Sequence, residues 1–69
     1  MTDSEKLKNK IREKGLKIAF ISEKLDLSRT AFYNKINNIS EFTVKEMEIL
    51  CKILEIKEEN ERKSIFFTQ

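Results

Sequence analysis

Residues 17–38 read KIAFISEKLDLSRTAFYNKINN. Apolar side chains recur there at steps of three and four on both sides of a break, at Ile18, Ile21, Leu25, Leu27, Phe32 and Ile36. This spacing predicts two short helices that each turn one face toward a core. Asp26 stands at the break, where a short polar side chain tolerates the left-handed backbone of a sharp turn. Ser28 is then the expected N-cap of the second helix of the pair.

The outer face of that second helix carries side chains that can donate, accept, stack or hold charge: Arg29, Thr30, Tyr33 and Asn34. A helix that is apolar inside and polar outside in this way suits the major groove of DNA. Plainer interpretations remain open at this point. Arg29 can pair with Asp26, Tyr33 can be a half-buried core residue, and Thr30 and Asn34 can be ordinary surface polarity.

Further helices are predicted on both sides of this pair. The first covers about residues 4–14, begins at a capping box formed by Thr2 and Glu5, and ends at Gly15, the only glycine. The second helix of the pair, which is the third helix of the chain, is expected to end at Asn37 and Asn38, since asparagine tolerates the left-handed cap.

A second capping box, Thr43 with Glu46, starts a fourth helix that reaches about Leu54. A short fifth helix is expected over about residues 58–64. With no proline and a composition rich in Lys, Glu, Leu and Ile, residues 1–69 are predicted to form one all-α domain of four to five helices.

Composition excludes several classes of function. The chain has no histidine and one cysteine, so it lacks imidazole catalysis, His-ligated metals, an internal disulfide and multi-cysteine zinc sites. We expect no enzyme activity, no cofactor and no metal, because a Gly-rich phosphate loop is also missing. No segment approaches the roughly 18 apolar residues of a membrane helix, and the start does not resemble a secretory signal, so we expect a cytoplasmic protein.

The net charge of +2 is unevenly distributed. Residues 1–38 hold nine Lys or Arg and five Asp or Glu, whereas residues 39–69 hold five and seven. The N-terminal half can therefore face phosphates while the other half faces solvent or a partner. The lysines of the first helix are interpreted as a solvated face that contributes long-range steering at most.

Two features of the C-terminal half are open to two interpretations each. Cys51 falls on the inner stripe of the fourth helix and is interpreted as a small buried hydrophobe rather than a redox group. Ile65, Phe66 and Phe67 must be covered by something, and they either cap the core or form a dimer surface.

The order of these elements resembles the phage repressor and Cro-like helix-turn-helix family, which has the lambda-repressor-like fold. The residues that carry the resemblance are Gly15-Leu16, Asp26 to Thr30, Phe32 to Asn38, and the stretch from Phe42 to Ile56. The resemblance implies a compact helical bundle that binds double-stranded DNA in a sequence-specific way. It also implies a homodimer on a palindromic operator and a repressor or other regulator of phage or mobile-element type.

Carried over by position, the resemblance places Ser28, Arg29, Thr30 and Asn34 toward the groove, with Tyr33 beside them. It places Lys17 at the start of a helix that crosses the phosphate backbone. Arg29, Thr30, Tyr33 and Asn34 are the expected base contacts. The expected phosphate contacts are Lys17, Ser28 and Lys35, together with Asn37 and Asn38 through their backbone amides in the loop after the recognition helix.

One departure from the family pattern concerns Ile18. The family commonly has glutamine there, which contacts phosphate and braces the recognition helix, and isoleucine can do neither. The replacement, the low net charge and the apolar C-terminus favour an alternative function: a protein-interaction module of the same fold, such as an antirepressor or toxin-neutralising partner.

Overall fold

Residues 1–68 are described by a computed structural model, and they form five helices. These are α1 (Ser4–Glu13), α2 (Ile18–Lys24), α3 (Arg29–Ile36), α4 (Val44–Leu54) and α5 (Glu59–Phe66). The predicted all-α class is confirmed, and the described residues contain no strand. The fifth helix starts one residue later and runs two residues further than expected.

Helices α1 to α4 all end in the same way. The chain after each takes a left-handed residue, and the next amide donates back to a carbonyl in the last turn, as in a Schellman motif. These amide–carbonyl distances are 3.3 Å from Leu16 to Ile11, 2.9 Å from Leu27 to Ser22, 2.8 Å from Ile39 to Asn34 and 2.9 Å from Ile56 to Cys51. The left-handed residues are Gly15, Asp26, Asn38 and Glu55. The turn roles expected of Gly15, Asp26 and Asn38 are confirmed.

Helix starts follow the expected capping chemistry with one exception. Ser28 Oγ accepts from the Ala31 amide at 3.0 Å, and the Thr43–Glu46 capping box is complete. The capping box expected at Thr2 is wrong, because Asp3 caps α1 and accepts from the Lys6 amide at 3.1 Å.

Thr2 serves a tertiary contact instead. Its amide donates to Asn38 Oδ1 at 2.8 Å, and Asn38 Nδ2 donates to the Thr2 carbonyl at 2.9 Å. This pair of hydrogen bonds ties the chain before α1 to the residue that ends α3. It explains why Thr2 is buried although it precedes the first helix.

The core is shared by all five helices. Leu7, Ile21, Phe32, Ile36, Leu50 and Leu54 are its fully buried side chains. Phe42, in the loop before α4, packs edge-on against both Phe32 and Phe66, with ring centroids 6.0 and 5.9 Å apart. The loop aromatic therefore connects the second helix of the predicted pair to the C-terminal helix.

The C-terminal apolar residues divide between core and surface. Ile65 and Phe66 are 2% and 3% exposed, so they belong to the core and are not available as a dimer surface. The Ile65 carbonyl also accepts from the Asp3 amide at 2.7 Å. Of the three residues, only Phe67 lies at the surface, with 55% of its area exposed.

Candidate nucleic-acid interface

Helices α2 and α3 form a helix–turn–helix whose turn is fixed from inside. Ser22 is buried, its hydroxyl donates to the Ile18 carbonyl at 2.7 Å, and its own carbonyl accepts the turn amide of Leu27. Asp26 supplies the left-handed residue with φ of 59°. A small polar residue at position 22 and a short acid at position 26 thus determine the angle at which α3 leaves α2.

Helix α3 turns Phe32 and Ile36 fully into the core. Residues two positions away on a helix point to the opposite side, so Thr30 and Asn34 project outward. Thr30 is exposed and Asn34 half-buried, and Arg29 and Tyr33 are both exposed. Thr30 and Asn34 therefore lie on the outer face of α3, and Arg29 and Tyr33, four residues apart, lie along one edge of that face.

Lys17 and Ser28 stand where phosphate contacts were expected. Lys17 precedes α2, is exposed and makes no capping hydrogen bond. Ser28 Oγ accepts from the Ala31 amide, and its hydroxyl proton remains available to an acceptor. Both expectations are compatible with this geometry.

Lys35 has a partner inside the protein. Its ammonium donates to both carboxylate oxygens of Glu46, at 2.7 and 2.9 Å, and the two side chains are 15% and 12% exposed. Burial alone would raise the pKa of the Glu46 carboxyl, but hydrogen bonds from Lys35 and from the Thr43 amide outweigh it and hold that pKa below its usual value. The Glu46 carboxylate on α4 balances the charge of Lys35, so we remove Lys35 from the expected phosphate contacts.

The asparagines after α3 are also committed. The Asn37 amide donates to the Tyr33 carbonyl at 2.9 Å, and the Asn38 amide donates to the Lys35 carbonyl at 3.3 Å. Asn38 uses its side chain on Thr2. The phosphate contacts expected from these backbone amides are corrected accordingly, because the helix end uses both amides.

Two grooves border α3, one at its first residue, Arg29, and one beside Tyr33 and Ile36 in its second half. One, the Arg29 groove, is lined by Ala19, Ser22, Glu23, Asp26, Leu27, Ser28 and Arg29. Two carboxylates, those of Glu23 and Asp26, line this groove together with the arginine. No ion pair joins Arg29 to Asp26 within residues 1–68, so the plainer interpretation of Arg29 as a partner of Asp26 is not what the structure contains.

The other, the Tyr33 groove, is lined by Lys8, Ile11, Arg12, Leu16, Ile18, Tyr33 and Ile36. It has two cations and no carboxylate. Ile18, partly buried against the core, is part of its apolar floor. Sequence reasoning missed Lys8 and Arg12 because it treated all α1 cations alike. Their spacing of four residues was the available signal that they share one face.

Other chemistry-bearing features are less suggestive of a site. Cys51 is buried, as expected, and burial raises the pKa of its thiol, which disfavours the reactive thiolate. Within residues 1–68, no three Cys, Asp or Glu side chains come together as metal ligands. None of the helices there has the length and hydrophobicity needed to cross a bilayer.

Comparisons of the chain with protein-family models, with curated proteins and with solved structures found no match. The features of this protein that point to a function are the helix–turn–helix and the charges around α3.

Proposed function

We propose that this protein is a sequence-specific regulator that binds double-stranded DNA by inserting α3 into the major groove. The observation that supports the proposal most directly is the outer face of α3. Its inner residues Phe32 and Ile36 are fully buried, while the residues of its other faces are polar, exposed at Arg29, Thr30 and Tyr33 and half-buried at Asn34. A helix held rigidly from behind, with polar side chains in front, meets the requirement for direct reading of base edges.

Each outer residue has a proposed role. Arg29 addresses guanine through its two-pronged guanidinium, and Asn34 addresses adenine through its amide. Thr30, one turn before Asn34, contacts an adjacent base edge. Lys17 and Ser28 hold the phosphate backbone, which contributes affinity but no sequence information.

The regulator is proposed to act as a homodimer, in the manner of a phage or mobile-element repressor. Two copies of α3 would then read half-sites about 34 Å apart on a palindromic operator. Phe67 is the one member of the apolar C-terminal triplet that remains available for such a contact.

The test is selection of bound sequences from a pool of random duplex DNA. Wild type is compared with the variant Arg29→Ala/Asn34→Ala and with the control Lys52→Ala/Lys57→Ala, whose exposed lysines lie away from α3. We expect wild type and control to enrich one palindromic sequence and the α3 variant to enrich none while keeping its helical circular dichroism. A folded wild type that enriches nothing at low salt would overturn direct reading of DNA.

A second candidate function, a protein-interaction module, is favoured by one observation. The residues that follow the left-handed positions are half-buried at Leu16 and Leu27 and buried at Ile56, but Ile39 is 73% exposed. Val44, at the start of α4, is 63% exposed. An exposed apolar side chain just after α3, with a second at the start of α4, suits a protein partner. Such a module would bind DNA neither specifically nor with a steep salt dependence.

A further inference from the structure

Helix α1 separates its cations into two sets. Lys10 and Lys14 bond to acidic residues of the C-terminal half, with Nζ–carboxylate distances of 2.9 Å to Glu61 and 2.7 Å to Glu55. The hydrogen bond to Glu61 raises the pKa of the Lys10 ammonium. Lys8 and Arg12 share a different face with the same four-residue spacing, and neither forms an ion pair within residues 1–68.

The second set lies in the Tyr33 groove. Lys8 and Arg12 form one wall, Tyr33 of α3 forms the other, and the buried side chains of Ile11 and Ile36 lie beneath. An apolar floor lowers the local dielectric constant, so the field of the two cations is stronger there than on an open helix face. A group with concentrated negative charge is the ligand that this arrangement favours.

Lys8 lines only the Tyr33 groove, whereas Arg12 lines two grooves. Arg12 also borders a neighbouring groove between α1 and α5, which contains Glu13 and Glu61. Its Nη1 donates to Asn9 Oδ1 at 2.8 Å, so one of its five N–H donors is engaged. The remaining donors are available to a phosphate oxygen.

The groove is continuous with the helix–turn–helix. Leu16 and Ile18 line it, and Lys17 lies between them at the start of α2. Tyr33 borders it from α3 and keeps 43% of its area exposed. A nucleic-acid strand that runs along this groove therefore meets Tyr33 and the two cations Lys8 and Arg12, close to the start of α2.

We infer that Lys8 and Arg12 of α1, together with the hydroxyl of Tyr33, form a binding site for backbone phosphates of the DNA duplex. The inference rests on the proposed function and extends it to a helix outside the helix–turn–helix. It also reassigns Tyr33 from base reading to backbone contact. Lys35 lies on the opposite side of α3 from Tyr33. It forms an ion pair with Glu46 and does not contribute to this site.

The experiment compares two double variants of α1 that remove the same charge at the same spacing. Lys8→Gln/Arg12→Gln alters the Tyr33 groove, and Lys10→Gln/Lys14→Gln alters the ion-paired face. Affinity for a random-sequence duplex is measured over a series of salt concentrations, with thermal unfolding as the control for the fold. Each phosphate contact contributes about 0.9 to the slope of log affinity against log salt, so the first variant should lose about 1.8 of that slope and the second far less.

Three results separate the proposals. Equal losses of slope in the two variants would show an effect of bulk charge and overturn the α1 site while leaving DNA binding intact. Absence of duplex binding by folded wild type would overturn the proposed function and, with it, this site. Tyr33→Phe should weaken binding to all sequences by the same factor. A changed selected sequence would instead return Tyr33 to base reading and overturn its assignment here.

Discussion

The Tyr33 groove and the Arg29 groove flank the same helix but differ in charge. The first combines Lys8 and Arg12 with an apolar floor, and the second sets Glu23 and Asp26 around one arginine. The difference comes from the neighbouring elements, since α1 borders the first groove whereas α2 and the turn border the second. A net charge of +2 for the whole chain conceals this local asymmetry.

Position 26 shows why the Arg29 groove is acidic. The turn needs a residue that accepts a left-handed backbone, and aspartate does so with φ of 59°. The same side chain adds a negative charge to the groove that also contains Arg29. If α3 binds DNA as proposed, the requirement of the turn and the attraction of phosphates conflict at this residue, whereas the Tyr33 groove contains no carboxylate.

The largest effect is expected from removing the support that both grooves share. Phe32 is fully buried behind α3 and packs on Phe42, so Phe32→Ala should cost about 3–5 kcal/mol of unfolding free energy. That is a large part of the stability of so small a domain. Urea unfolding measures the loss.

The adjacent aromatic provides the matched control for that measurement. Tyr33→Ala removes an exposed ring from the same helix and should cost about 1 kcal/mol or less. If the two alanine variants unfold at the same urea concentration, α3 is not anchored through Phe32 and the two grooves do not share one support.

Features set by neighbours in the sequence were predictable. Helix ends are predicted at Gly15, Asp26 and Asn38 because few residues accept a left-handed backbone. A helix start is predicted by the capping box of Thr43 and Glu46. The prediction of a capping box at Thr2 was wrong because threonine and aspartate are both common N-cap residues, so the sequence alone did not distinguish Thr2 from Asp3. Two hydrogen bonds between the Thr2 backbone and the Asn38 side chain, 36 residues away, decide between them.

Features set by distant partners were not predictable. Lys35 meets Glu46 across 11 residues and Lys10 meets Glu61 across 51, so sequence alone could not tell a paired lysine from an available one. Coverage of Ile65 and Phe66 likewise depends on where α5 lies against the other helices. The outer face of α3 was predictable from its period, but the charges of the two flanking grooves required the structure.

An intermediate loss of stability is expected from breaking the ion pair between Lys35 of α3 and Glu46 of α4. Glu46→Gln keeps an acceptor for the Thr43 amide but removes the charge that holds Lys35. Because hydrogen bonds to charged groups contribute about 1.5–3 kcal/mol, we expect a loss near the lower end of that range. The released Lys35 should also steepen the salt dependence of DNA binding by up to about 0.9.

The pH dependence of stability provides the readout specific to this carboxylate. Since the folded pKa of Glu46 is depressed, its contribution is present above the unfolded value of about 4.3 and is lost as the pH falls through the folded value. Urea unfolding is measured at about pH 6 and at about pH 3. Wild type should lose more unfolding free energy between the two than Glu46→Gln does. Glu48→Gln, at an exposed position two residues on, should behave like wild type. Parallel pH profiles for wild type and Glu46→Gln would contradict the assigned ion pair.

The smallest effect is expected from making the Arg29 groove resemble the Tyr33 groove in charge. Glu23→Gln/Asp26→Asn removes both carboxylates, and asparagine retains the tolerance for the left-handed turn. Two charges about 8 Å apart in water interact by about 0.5 kcal/mol, so removing two repulsions should tighten duplex binding about fivefold at low salt. The gain in affinity should be equal for all DNA sequences and should decrease as salt screens the charges.

The control variant, Glu58→Gln/Glu59→Gln, removes the same charge from the start of α5 and should have a smaller effect on affinity. If both double variants leave affinity unchanged while Lys8→Gln/Arg12→Gln flattens the salt dependence, the DNA backbone follows the Tyr33 groove alone. The Arg29 groove would then receive no phosphate, and Arg29 would act on the bases alone.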